Sequence, residues 1–164
     1  MPEISLDATD LRILAALQQR ARLANVELAD AVGLSQSATL RRVRELEEQG
    51  TITGYVALVD AVAVGLGVSV MVNVTLERQG ERALQVFESA IRQWPEVMEC
   101  YLMTGDADYL LRVVVPDLPA YQRFVMERLT RVAGIASIKS SFALKQVVHR
   151  TALPMNHLAP HPKK

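Results

Sequence analysis

Three arginines, at positions 41, 42 and 44, follow a run of short polar residues, and no acidic residue occurs between Asp30 and Glu45. An arginine guanidinium group can bind guanine or phosphate oxygens through two parallel hydrogen bonds, and short polar side chains can reach base edges. The segment 36–44 carries a local charge of plus three. This chemistry fits a DNA-contacting helix, and the ordinary alternative is a solvated charged helix face.

A second group of residues with useful chemistry is the turn Gly105-Asp106-Ala107-Asp108, which separates two apolar stretches. Backbone N–H groups at a glycine turn can bind a carboxylate, and an aspartate can bind an ammonium group. Apolar neighbours such as Leu102 and Met103 can form a wall around an apolar side chain. The turn therefore fits an amino-acid ligand, although Gly-Asp also occurs in ordinary hairpin turns.

The arginines are predicted to lie on the second helix of a helix-turn-helix. Helical periodicity and capping residues predict three helices, over residues 8–19, 26–32 and 36–49. Asn25 and Ser35 are the expected N-caps of the second and third helices. Ala29 lies four residues before Gly33, which is the spacing of a small crossing residue and a turn glycine in this motif.

The third helix is predicted to bury one apolar stripe and to face the DNA major groove with its polar side. The expected buried residues are Leu40, Val43 and Leu46. The expected DNA-contacting residues are Ser35, Gln36, Ser37, Thr39, Arg41, Arg42 and Arg44. After Gly50, residues 51–59 alternate weakly between apolar and polar side chains, which predicts a short β-ribbon, or wing.

The remaining two thirds of the chain predict a sheet covered by helices. Apolar alternation and helical periodicity give, in order, a strand over 68–77, a helix over 81–94, strands over 97–104 and 109–115, a helix over 118–132 and a strand around 138–144. This β-α-β-β-α-β order is typical of the ferredoxin-like fold, which places both helices on one face of the sheet. The other face is expected to include Met103, Val114 or Val147, and a partner subunit is expected to cover it.

The composition fits a folded protein and restricts how it can bind DNA. Half of the residues are hydrophobic and 22% are charged, which excludes a disordered chain. The net charge is zero, and the first 60 residues hold six arginines against nine acids, so DNA binding must depend on local contacts. The one cysteine, Cys100, cannot form an internal disulfide and is expected to be a small buried residue. Without an apolar run of membrane-spanning length or a signal-peptide pattern, the sequence predicts a cytoplasmic protein that does not contact membranes.

Several short motifs occur along the chain. In the first third they are Leu6-Asp7-x-x-Asp10, Asn25-Val-Glu-Leu-Ala29, Val32-Gly-Leu-Ser35, Arg42-Val-Arg-x-Leu-Glu47 and Gly50-x-Ile52-x-Gly54-Tyr55. Further on they are Pro95-Glu-Val97, Glu99-Cys-x-Leu102, Thr104-Gly-Asp-x-Asp-Tyr-Leu-Leu111 and Pro116-Asp117. In this order they resemble the Lrp/AsnC (leucine-responsive/asparagine-responsive) family of transcription regulators over nearly the whole chain. The late segments 140–145 and 153–158 are most similar to members that sense leucine or methionine.

This resemblance implies homodimers formed through the second domain, assembling further into tetramers or octamers. It also implies a small amino-acid effector that binds between dimers near the turn. The residues that match the family's effector turn are Leu102, Met103, Thr104, Gly105, Asp106 and Asp108. We expect leucine or methionine as the effector, with Asp108 holding its amino group, and no further cofactor.

The sequence thus predicts an α+β protein with an N-terminal winged helix-turn-helix in residues 1–60 and a linker in 61–67. A ferredoxin-like effector-binding and oligomerisation domain is expected in 68–154, followed by a tail in 155–164. The predicted function is regulation of transcription by sequence-specific binding of double-stranded DNA, in response to an amino acid.

Two alternatives remain: an amino-acid-binding subunit of an enzyme, and a small enzyme on the same fold. The first does not explain the helix-turn-helix spacing, and the second lacks a convergent set of catalytic groups, so we predict a protein that is not an enzyme. His149, His157 and His161 are spaced in a way that fits no compact metal site.

Overall fold

The structure of the chain, a computed structural model, describes residues 6–158 and divides into two compact units. One unit comprises the described residues up to Leu58 together with those from Val148 onward, and the other is Val59–Val147. This division places residues 59–67 with the sheet and residues 148–154 with the helices, whereas the sequence predicts a first domain over 1–60, a linker over 61–67 and a second domain over 68–154. His161 and the end of the predicted tail lie outside the described residues.

Three helices build the N-terminal unit: α1 (Ala8–Gln19), α2 (Asn25–Val32) and α3 (Gln36–Glu48). Asp7 caps α1 by accepting hydrogen bonds from the N–H groups of Thr9 and Asp10, and the Asp10 carboxylate accepts from the Asp7 N–H. Gly33 ends α2 with a φ of 71°, which permits the tight turn into α3. The buried core residues are Ile13, Leu14, Leu28, Val32 and Leu46.

The beginning of α2 differs from the prediction. Its N-cap is Ala24, whose N–H donates to the Glu27 carboxylate at 2.9 Å. Asn25 is instead the first helical residue, and its side-chain amide donates to the Gln36 carbonyl at 2.9 Å. Asn25 therefore links the beginnings of α2 and α3, a contact between helices that periodicity along the sequence does not reveal.

Residues 51–58 do not form the predicted β-ribbon, since the first strand of the described chain begins at Val68. Ile52 fixes the beginning of this segment, because its N–H donates to the Leu46 carbonyl at 3.0 Å and its side chain packs against the core. Beyond it, Val56 and Leu58 are mostly exposed. A ribbon needs a second strand to provide hydrogen bonds, and none pairs with this segment within residues 6–158.

The second unit has the predicted β-α-β-β-α-β order. Its elements are β1 (Val68–Leu76), α4 (Glu81–Ile91), β2 (Val97–Leu102), β3 (Tyr109–Val115), α5 (Leu118–Glu127) and β4 (Ile135–Phe142), with a short 3₁₀ turn at Leu129–Arg131. Neighbouring strands are antiparallel, and their order is β2-β3-β1-β4. The prediction of an α+β protein with a ferredoxin-like second domain is confirmed.

Alternation along β1 separates the two faces of the sheet. The fully buried side chains of β1 are Val70, Val72 and Val74, which pack with α4 and α5. The opposite face, which we call the open face, carries Asn73 and Thr75 beside Lys139 and Ser137 of the paired strand β4. The open face is therefore more polar near β4 than the prediction implies.

The residues predicted for the open face take different positions. Val114 has the predicted orientation but is only 7% exposed, Met103 follows the end of β2, and Val147 lies beyond β4. Cys100, which was expected to be buried, is exposed because β2 is an edge strand. None of the helices within residues 6–158 combines the length and the apolar character that crossing a membrane requires.

Candidate DNA-binding and effector-binding sites

The buried side of α3 is rotated by one residue from the predicted stripe. Thr39 is fully buried, whereas Leu40 is 41% exposed. Thr39 lies four residues before Val43 and seven before Leu46, so these three residues share one helical face. The Thr39 hydroxyl donates to the Ser35 carbonyl at 3.0 Å, which satisfies this polar group inside the unit. Thr39 is therefore a packing residue, not the DNA contact that the sequence predicts.

Arg42 is bound within the unit. Its Nη1 atom lies 2.7 Å from Asp10 Oδ1 and 2.8 Å from Asp7 Oδ2, and its side chain is 25% exposed. The hydrogen bond to Asp10, followed by that to Asp7, raises the pKa of Arg42. The pKa of Asp7 is lowered, chiefly because its carboxylate accepts a hydrogen bond from the Asp10 backbone. Arg42 thus ties α3 to the first turn of α1, a role other than the predicted DNA contact.

Arg41 and Arg44 are the arginines on the outer side of α3. Arg41 forms an exposed ion pair with Glu45 at 2.6 Å, one turn along the helix. Exposed pairs of this kind contribute only about 0.3–0.5 kcal/mol, so a phosphate can replace the glutamate at little cost. Arg44 is exposed and forms no ion pair or hydrogen bond with another residue in the described part of the chain. Arg44 is therefore the arginine most available to DNA.

Neutral residues complete the outer side of α3. They are Ser35, Gln36 and Ser37 at its beginning and Leu40 in its second turn, all of them exposed. An exposed apolar side chain on such a helix can contact the methyl group of thymine in the major groove. Leu40 was predicted to be buried because leucine ranks above threonine as a core residue. Only the spacing of Thr39 from the later apolar residues identifies the buried side.

The turn between β2 and β3 is held by Asp108. The Met103 N–H donates to the Asp108 carbonyl at 2.8 Å and closes the turn. The Asp108 side chain is buried, and its carboxylate accepts from the Leu76 N–H and from Gln79 Nε2, both at 2.7 Å. Because each carboxylate oxygen already has a donor, Asp108 fastens the end of β1 to the beginning of β3. The structure thus gives Asp108 a role different from the predicted contact with the effector's amino group.

A cavity of about 310 Å³ lies beside this turn on the open face. Its lining residues are Asn73, Thr75, Met103, Thr104, Asp106, Ala107, Ser137 and Lys139. Of the residues predicted for the effector, Met103, Thr104 and Asp106 line the cavity, and Leu102, Gly105 and Asp108 do not. The arrangement brings an acidic and a basic side chain, Asp106 and Lys139, to one cavity.

Four lining residues on β1 and β4 were not identified from the sequence. Asn73 lies opposite Lys139 and Thr75 lies opposite Ser137 in the pairing of these strands. Alternation along β1 does place positions 73 and 75 on the face away from the core. The missing information is the pairing of β4 beside β1 at this register, which no local pattern reveals.

Comparison with known proteins assigns both units. Residues 6–53 match the family model described as winged helix-turn-helix DNA-binding, and residues 69–153 match the model described as Lrp/AsnC ligand binding domain. A Bkd operon transcriptional regulator from Pseudomonas aeruginosa is 52% identical over 92% of this chain and 98% of its own length. A leucine-responsive regulatory protein from Rhizobium meliloti is 40% identical over 88% of this chain and 92% of its own length.

Solved structures agree with these matches. A transcriptional regulator from Neisseria meningitidis, solved as an L-Met complex, has a TM-score of 0.89 and 42% identity, and the match covers 93% of this chain and 99% of that one. AsnC from Escherichia coli has a TM-score of 0.82 and 26% identity, and the match covers 89% of this chain and 97% of that one. From the helix-turn-helix, the ligand-binding sheet and these relatives together, we conclude that the chain belongs to the Lrp/AsnC family and is a DNA-binding transcription regulator with an amino-acid-binding domain, not an enzyme.

Proposed function

We propose that this regulator senses leucine or methionine in the cavity on the open face, and that occupancy of the cavity changes how α3 binds double-stranded DNA. The observation that carries the proposal is the presence of Asp106, Lys139 and the apolar Met103 around one cavity of about 310 Å³. A free amino acid has complementary features, because one carbon bears its ammonium group, its carboxylate and its side chain.

Each feature of the effector has a matching group in the cavity. The Lys139 ammonium suits the α-carboxylate and the Asp106 carboxylate suits the α-ammonium, with charge-assisted hydrogen bonds in both cases. Met103 offers a polarisable apolar wall to a branched or thioether side chain. The volume lies at the small end of the range of ligand pockets, as expected for a single amino acid. The L-Met complex of the Neisseria relative and the name of the Rhizobium relative support methionine and leucine as candidates.

On the DNA side, we propose that the outer side of α3 enters the major groove. Arg44 and Arg41 offer guanidinium groups to guanine or phosphate oxygens, and Leu40 offers an apolar contact. Ser35, Gln36 and Ser37 lie at the beginning of the helix, where backbone N–H groups also favour a phosphate. Thr39 and Arg42 hold the helix from its inner side.

We also propose that a second copy of the chain covers the open face, and that such homodimers assemble into tetramers or octamers. The helices α4 and α5 cover only the other face, and the open face presents exposed Tyr101 with half-buried Met71 and Leu110. An effector changes regulation only if its affinity differs between two states of the protein. A second subunit beside the cavity provides such a difference when it completes the cavity wall.

Calorimetric titration of the full chain with L-leucine and L-methionine tests the effector site. Lys139→Ala should weaken binding about tenfold or more, because it removes a charge-assisted contact worth roughly 1.5–3 kcal/mol. The control Lys145→Ala removes an exposed lysine that does not line the cavity and should leave Kd unchanged. L-Leucine methyl ester lacks the anionic carboxylate, so it should bind the wild type weakly and lose little further affinity in Lys139→Ala. Failure of the wild type to bind either amino acid, or equal binding by the two lysine variants, contradicts the site.

A further inference from the structure

The last described residues return to the DNA-binding unit after the sheet is complete. The Leu153 N–H donates to Gln18 Oε1 at 2.6 Å, and Gln18 Nε2 donates to the Leu153 carbonyl at 3.4 Å. One side-chain amide of α1 therefore binds both backbone groups of a residue near the end of the chain. We call residues 151–158 the strap.

Met155 anchors the strap in the core of the N-terminal unit. Its side chain packs against the buried cluster formed by α1, α2 and α3, and its sulfur lies 3.7 Å from Gln18 Nε2. The Leu158 N–H donates to the Met155 carbonyl at 3.0 Å and closes a short 3₁₀ turn. The strap is thus a further structural element of the described unit, beside the three helices and the segment after them.

The strap is loosely held compared with the helices. Leu153 is 75% exposed and Leu158 is 43% exposed. A cavity of about 790 Å³ is lined by α1, residues 51–58 and the strap, so part of the strap does not pack closely against the rest of the unit. Segments with few buried contacts and exposed hydrogen bonds open locally at low free-energy cost. A modest change in the chain before the strap is therefore enough to displace it.

The helix α1 connects the strap to α3. Gln18, near the end of α1, binds the strap, and Asp10, in its first turn, binds Arg42 of α3. At its other end the strap continues from β4, the strand that carries Ser137 and Lys139 of the cavity on the open face. One continuous segment therefore runs from the effector cavity to α1.

We propose that the strap is an integral part of the DNA-binding unit and transmits effector occupancy from β4 to α1 and α3. The strap holds the end of α1 in place, and α1 in turn holds α3 through Arg42. An effector that changes the conformation of the chain after β4 therefore tightens or loosens the helix that binds DNA. The proposed effect of the ligand on DNA binding rests on the proposed effector site, whereas the stabilisation of α1 by the strap does not.

Two pairs of variants of the full chain test this proposal. Leu153→Pro removes the N–H that binds Gln18, whereas Leu153→Ala keeps that N–H and shortens a mostly exposed side chain. Met155→Ala removes the anchor, whereas Met155→Leu conserves its volume. Hydrogen exchange of the α1 and α3 amides measures how far the strap stabilises these helices. Fluorescence anisotropy with a DNA duplex from upstream of this protein's own gene measures how L-leucine changes the affinity for DNA.

Leu153→Pro and Met155→Ala should speed hydrogen exchange in α1 and α3 about tenfold or more, because the unit is locally weakened. The control variants Leu153→Ala and Met155→Leu should exchange at nearly the wild-type rate. Leu153→Pro and Met155→Ala should still bind L-leucine in the calorimeter, but leucine should no longer change their affinity for DNA.

Unchanged exchange in both variants would overturn the role of the strap in the unit. A leucine effect on DNA affinity that survives the faster exchange would overturn the transmission. If the wild type binds no amino acid, the effector site and the transmission fail together, and the exchange rates still decide whether the strap holds α1.

Discussion

Separate replacement of Arg42 and Arg44 by alanine distinguishes two arginines that look equivalent in the sequence. Arg42 lies 2.7 Å from Asp10 Oδ1 and keeps a quarter of its side chain exposed. Exposed ion pairs contribute at most about 1 kcal/mol, and removing one partner of a buried pair costs about 3–5 kcal/mol. The Arg42–Asp10 contact lies between these limits, because Asp10 is largely buried while Arg42 is partly hydrated. We therefore expect Arg42→Ala to destabilise the N-terminal unit by roughly 1–2 kcal/mol.

A loss of this size multiplies the population of the opened unit by about 5–30. Hydrogen exchange should accelerate by that factor in the amides of α1 and α3, and the amides of β1 to β4 should exchange as before. Arg44→Ala removes an arginine that has no partner among residues 6–158, so hydrogen exchange in this variant should match that in the wild type. Its effect should appear in DNA affinity instead, with a cost of about 1–3 kcal/mol if Arg44 contacts a base.

Two results would refute this assignment of roles. Unchanged exchange of α1 and α3 in Arg42→Ala would mean that the ion pair does not hold these helices together. Wild-type affinity for an operator duplex in Arg44→Ala, at every salt concentration, would mean that Arg44 does not contact DNA. Arg41→Ala is the intermediate case, because it loses an exposed pair with Glu45 and a candidate phosphate contact. It should reduce the salt dependence of binding while exchange barely changes.

Three further variants or conditions test other contacts. Asp108→Ala should destabilise the sheet unit by about 1–3 kcal/mol, because the Leu76 N–H and the Gln79 amide lose their acceptor. Urea unfolding followed by the single tryptophan, which lies in this unit, measures the loss, and an unchanged midpoint contradicts it. Leu40→Ala should weaken DNA binding in an anisotropy titration without faster exchange in α1 and α3, since Leu40 is 41% exposed. Acid should loosen the N-terminal unit, because the folded-state pKa of Asp7 lies below its ordinary value of 3.8 and the unfolded chain therefore binds the proton more readily. This stabilisation is present above pH 3.8 and is lost as the pH falls through the folded-state pKa. The stability advantage of the wild type over Asp7→Asn, measured by circular dichroism at a series of pH values, should therefore shrink below pH 3.8, and a constant difference contradicts this role of Asp7.

The sequence predicts the elements that depend on neighbouring residues. The helix α1 has the predicted bounds because Asp7 and Asp10 form its cap within one turn. The strand β3 has the predicted bounds because Pro116 follows it, and β1, which alternation defines, ends one residue before the predicted end. The order of these elements then restricts the fold to few topologies, which is why the ferredoxin-like sheet could be predicted.

The features that the sequence does not predict depend on residues far apart in the chain. Arg42 and Asp10 are separated by 32 positions, and so are Asp108 and Leu76. In both cases a charged side chain near a candidate site has a partner inside its own unit. A pattern of charges therefore predicts where a candidate site lies, but it does not show which of those charges is already paired within the protein.

The polar contacts that join α1 to Arg42 and to the strap, which act beside the apolar core, are weak enough for an effector to influence them. A ligand at a hundred times its Kd stabilises the state that it prefers by about 2.7 kcal/mol. The Arg42 contact, at roughly 1–2 kcal/mol for its partial exposure, is of the same size. The partly exposed Arg42 pair and the loosely held strap therefore support the proposal that an amino acid changes the rigidity of the DNA-binding unit.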